Sequence, residues 1–88
     1  MMYIYKVEYT NENDLDEEIA EAKIRTFAIG KGSTEAAAWA DFERDVEETC
    51  RLGYQYKLNK EQMKLFIEDC DIQLTMNIIF REEVKTGL

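Results

Sequence analysis

The sequence predicts an α+β domain: a small antiparallel or mixed three-stranded sheet with a long helix and a short helix packed on one face, in the order β-β-α-α-β. Three observations carry this expectation. Met2 to Thr10 alternates between two faces and is rich in aromatic and β-branched residues. Trp39, Phe42, Val46 and Cys50 repeat at helical spacing. From Asp71 onward the alternation is the clearest in the chain.

In the first strand, Tyr3, Tyr5, Val7 and Tyr9 lie on one side, with Met2, Ile4, Lys6 and Glu8 on the other. Apolar groups on both sides place it centrally in a sheet or beneath a partner. An acidic connection over residues 11–22, "NENDLDEEIAEA", follows. Asp14 and Glu17 have capping-box spacing, and Leu15, Ile19 and Ala22 have helical spacing, so a helical turn or two and a long hairpin loop are both compatible with it. Ile24, Thr26, Phe27 and Ile29 predict a second strand from Lys23 to Ile29, antiparallel to the first.

The stretch "IGKGSTE", residues 29–35, has the ingredients of a phosphate cradle. A phosphate loop, however, needs G-x-x-x-x-G-K-[ST], so that several N–H groups wrap the anion before the lysine reaches in. Here Lys31 precedes the last glycine, and the helix beyond is crowded with carboxylates. The stretch reads instead as two flexible glycines turning the chain, then Ser33 as the cap of a helix over about residues 34 to 52. Ala36, Ala37, Ala38 and Ala40 favour that helix, and Gly53 stands at its left-handed stop.

"YQYKL" is ambiguous between a short strand and a loop. Asn59 with Gln62 gives another capping signal, and Met63, Leu65, Phe66 and Ile67 supply the second, short helix. In the last strand Ile72, Leu74, Met76, Ile78 and Phe80 face one way, and Gln73, Thr75, Asn77 and Arg81 the other; residues 84–88 read as frayed.

A chain of 88 residues with 45% hydrophobic residues suffices for one core, so residues 1–88 are expected to form a single domain. No apolar run is long enough to span a bilayer, and the N-terminus has neither a basic flank nor a small-residue cleavage site, so a cytoplasmic protein is expected. Cys50 and Cys70 read as buried free thiols, with a single disulfide between them left open by the sequence; with no histidine they cannot complete a zinc site. A calcium loop fails because Asn11 and Asn13 are followed by Leu15 and no glycine makes the sharp turn. No Ser-His or Cys-His arrangement exists, and the acids fall in loops and on an outer helix face rather than as a pair in a pocket. The expectation is therefore no enzyme, no metal and no cofactor.

Charge is the feature that narrows function. The formal net charge is −8, and Glu8 to Glu21 alone carries −7 while Glu35 to Glu48 carries −5. Such a surface repels nucleic acid and anionic membranes directly and attracts basic proteins. Asp41, Asp45 and Glu48 share one helix face, and Glu43 with Glu47 forms a second like-charge pair. The nominated partner-binding residues are Glu12, Asp14, Asp16, Glu17, Glu18, Glu21, Asp41, Asp45 and Glu48. Their expected partner is a basic protein such as a nuclease or another nucleic-acid-binding protein. In size, acidity and lack of catalytic motifs the chain resembles the small phage-encoded inhibitors of restriction and CRISPR nucleases, some of which mimic DNA; this likeness assigns no individual residue. The alternative is a self-associating structural or regulatory domain, in which the first strand, Tyr54 and Tyr56 contribute to a homodimer.

Overall fold

In the computed structural model, which describes residues 1–10, 24–51, 53–69 and 72–84, five antiparallel strands form one open sheet and a helix packs against it. The elements are β1 (Met2–Thr10), β2 (Ile24–Gly32), α1 (Glu35–Cys50), β3 (Gln55–Asn59), β4 (Lys64–Asp69) and β5 (Ile72–Glu83), and the strand order is β2-β1-β5-β4-β3. The α+β class and the antiparallel β1–β2 pair agree with the sequence. The count does not: five strands and one helix stand where three strands and two helices were expected.

The predicted second helix is a hairpin. Leu65 and Ile67 are buried, while Phe66 between them points to the other face, and Leu65 pairs with Leu58 and Met76. The buried positions therefore recur every two residues, not every three or four. The Asn59 signal is a real hydrogen bond, since its Oδ1 accepts from the Gln62 N–H at 3.0 Å. It closes a turn over residues 60–63 that ends on Met63 at φ 52°, and β4 begins directly afterwards. "YQYKL" accordingly belongs to strand β3 and its entry.

β1 is flanked by β2 and β5, which accounts for its two apolar sides. It is thereby removed as the pairing edge of a homodimer. β5 is the longest strand at 12 residues. Its first half pairs with β4, from Ile72↔Asp69 to Asn77↔Lys64, and its second half with β1, from Ile78↔Val7 to Glu83↔Met2. One strand thus joins two smaller pairings into a single sheet.

The core lies between the sheet and α1, with Phe42, Leu65, Val7 and Val46 its largest fully buried side chains. Each contributes about 1.5–3 kcal/mol by leaving water. Tyr5 meets Trp39 edge-on at 5.0 Å and Phe80 at 4.8 Å, and Lys60 Nζ sits 5.2 Å above the Trp39 ring. The sheet therefore touches α1 from β2 on one flank and from the β3–β4 turn on the other.

The helix begins one residue later than the sequence suggested. Thr34, not Ser33, is the cap: its backbone is extended (φ −132°, ψ 159°) and its Oγ1 accepts from the Ala37 N–H at 3.1 Å. Gly53, at φ +118°, follows the helix in the conformation expected of its stop.

Gly30 and Gly32 serve close approach rather than a turn, which corrects the hinge reading. Both lie inside β2, facing α1. A Cβ on Gly30 would come within 2.1 Å of the Phe42 nitrogen, and one on Gly32 within 2.5 Å of the Ala38 nitrogen. Strand and helix backbones are in direct contact there, which only glycine permits.

Candidate functional site

That contact places the carboxylates of α1. β2 is an edge strand, so every second residue aims its N–H and C=O away from β1. The N–H of Ile29 donates to Asp45 Oδ2 at 2.8 Å, and the N–H of Lys31 donates to Asp41 Oδ2 at 2.9 Å. Thr49 continues the row, its Oγ1 lying 3.5 Å from the Phe27 carbonyl oxygen and 2.8 Å from that of Asp45. The spacing is geometric. Four helical residues rise about 6 Å and two strand residues about 6.7 Å, so side chains four apart on α1 meet backbone groups two apart on β2.

Asp41 also receives Arg44 Nη2 at 2.6 Å. The Lys31 N–H first, and then the guanidinium, hold its carboxyl below the usual carboxylate range. Two of the nominated partner-binding residues, Asp41 and Asp45, are therefore engaged at the sheet edge. The third on the helix, Glu48, is exposed. Seven residues beyond Asp41, it keeps to their side of the helix, while Glu43 and Glu47, also exposed, lie further round α1. Among the described residues these three glutamates form no ion pair. Glu12, Asp14, Asp16, Glu17, Glu18 and Glu21, with the whole acidic connection over residues 11–22 for which a helical turn and a hairpin loop are both compatible, lie outside the described residues, as do Cys70 and residues 85–88.

Glu47 and Glu48 border a depression of about 470 Å³ between α1 and β3, with Arg44, Cys50, Arg51 and Tyr56. Burial first, then Glu47, raises the Tyr56 hydroxyl above its usual value, so the phenol stays neutral beside the glutamates. Cys50 is a buried free thiol, and burial pushes it up as well, opposite to what an activated nucleophile requires. Two further depressions lie on the sheet: one of about 410 Å³ around Phe66 with a mixed polar and apolar lining, and an apolar one of about 260 Å³ bounded by Tyr9, Phe27, Tyr54, Leu74 and Met76. Among the described residues no group of three or more acids and cysteines could hold a metal ion, and no helix is long and apolar enough to cross a membrane.

By spacing alone Asp41, Asp45 and Glu48 are equivalent. The signal that separates them is the G-x-G of β2, because a strand stripped of Cβ atoms lets α1 descend far enough for its aspartates to reach backbone. Comparison with known families, characterised proteins and solved structures finds no match for this chain.

Proposed function

We propose that this protein is a small acidic binding module without catalysis, presenting carboxylates to a basic surface on a protein that handles nucleic acid. An inhibitor of the phage-encoded anti-CRISPR or anti-restriction type, imitating DNA, is the form this takes. The supporting observation is the division of labour on α1: Asp41 and Asp45 are spent on β2, while Glu43, Glu47 and Glu48 stay exposed and form no ion pair among the described residues, although Arg44 and Arg51 border the same depression as Glu47 and Glu48. Glu43 and Glu47, four residues apart, are separated by about 6 Å along the axis, of the order of the phosphate spacing in a nucleic-acid strand. The field of such a row steers a cationic surface toward it. Its partners are basic proteins in the cytoplasm, with no direct contact to nucleic acid or membrane.

The test is affinity capture from the host, followed by quantitative binding of the captured protein to wild type and to the Glu43→Gln/Glu47→Gln/Glu48→Gln variant at low and high salt. The proposal expects a basic partner whose affinity falls with salt and falls at least tenfold in the variant. Affinity indifferent to both would refute it.

A further inference from the structure

The two edges of the sheet are treated differently. β2 is sealed by the side chains of α1, whereas β3 pairs only with β4 among the described residues. We propose that β3 is a self-association edge, pairing antiparallel with β3 of a second copy to make one continuous sheet. The inference rests on the strand edge and not on the acidic-surface reading, although Tyr56 borders the same depression as Glu47 and Glu48.

The backbone directions follow from the ladder. The Met63 carbonyl accepts from the Ile78 N–H at 2.8 Å, so residue 63 and every second residue after it in β4 face β5. Lys64, Phe66 and Glu68 then face β3 and bond Asn59, Lys57 and Gln55. Tyr56 and Leu58 are left with N–H and C=O groups pointing off the sheet. Their side chains lie on the α1 side, where Tyr54 is 46% and Tyr56 39% exposed.

Side-chain chemistry selects both occupant and register. A two-fold axis normal to the sheet keeps each residue's face, so only alternate registers are allowed. Centring on Lys57 would set Lys57 directly against its own copy, which is repulsive. Centring on Tyr56 removes that clash. Tyr56 meets Tyr56, Tyr54 meets Leu58, and Gln55 meets Lys57, so the exposed tyrosines and the half-buried Leu58 pair on one face and an uncharged–charged pair fills the other. In this register Tyr56 exchanges hydrogen bonds with its counterpart. The Leu58 N–H reaches the Tyr54 carbonyl; the Tyr54 N–H is already donated to the Cys50 carbonyl at 3.2 Å. The strand is its own complement.

Analytical ultracentrifugation of the full chain tests this, from about 10 µM to about 1 mM, a range that reports weak dimers. High salt screens Glu43 and Glu47, which lie near Tyr56 in each copy. The expected result is a monomer–dimer equilibrium, weakened at least tenfold by Tyr56→Lys and tightened several-fold by Gln55→Glu, which sets a carboxylate against Lys57 twice per dimer. Circular dichroism verifies that each variant folds; should Tyr56→Lys fail to fold, Gln55→Glu at its exposed position decides. A monomer throughout, or a dimer that Gln55→Glu does not tighten, would overturn the proposal.

Discussion

Asp45 accepts the Ile29 backbone N–H at 2.8 Å, and the helix thereby becomes the neighbour that strand β2 lacks. Edge strands commonly defend themselves with lysines, bulges or brevity. β2 is nine residues long, and to the bulge at Phe27 and the exposed Lys31 it adds the cover of Asp41, Asp45 and Thr49.

Removing those acceptors should leave strand amides unpaired. Asp45→Ala is expected to cost about 2 kcal/mol, and Asp41→Ala about 1 kcal/mol because its carboxylate is 38% exposed and partly screened. Asp45→Asn, which keeps an acceptor oxygen, should cost less than Asp45→Ala. Urea unfolding measures the energies. Hydrogen exchange should show the Ile29 and Lys31 amides losing protection before those paired to β1.

Gly30→Ala should be among the most damaging substitutions in the chain, at about 3 kcal/mol or more. The new methyl would meet the helix backbone, which cannot move aside as a side chain can. Gly53→Ala meets nothing within 4 Å, so its cost is conformational, about 1 kcal/mol from the positive φ. A thermal-melt comparison of the two variants separates packing from backbone strain.

The cap offers a sharp contrast. Thr34→Ala should lose about 1 kcal/mol, while Ser33→Ala, with no capping bond, should lie within about 0.5 kcal/mol of wild type. Equal effects from the two would place the helix start elsewhere.

Acid should loosen the β2 edge. Asp41 is held below its unfolded value, so its contribution is complete above the ordinary carboxylate range near about pH 4 and is lost as pH falls through its lower folded value. Stability measured from neutral pH downward should therefore fall less steeply in Asp41→Asn than in wild type across that acidic interval. Matching slopes would mean that the carboxylate gains nothing from Lys31 and Arg44.

Much of this architecture is legible in the residues. The alternation of β1 and β5, the stripe Phe42–Val46–Cys50 and the stop at Gly53 each follow from one local period or one special backbone angle. The hairpin β3–β4 is harder to read because a short run with Leu65, Phe66 and Ile67 fits either period, and only its pairing with Leu58 and Met76 decides. Asn59 misleads for a related reason: the same side-chain hydrogen bond opens a helix or closes a turn. The roles of Asp41 and Asp45 are fixed by a strand ten to sixteen residues away, which no local spacing reveals.

The most direct test sets two neutralised proteins side by side, Asp41→Ala/Asp45→Ala and Glu43→Gln/Glu47→Gln/Glu48→Gln, each measured for unfolding free energy and for affinity toward the captured basic partner. The aspartate variant is expected to lose about 3 kcal/mol of stability yet bind its partner as wild type does, and the glutamate variant to hold its stability and release the partner. Loss of binding in the aspartate variant with full binding in the glutamate one would contradict this division of labour on α1.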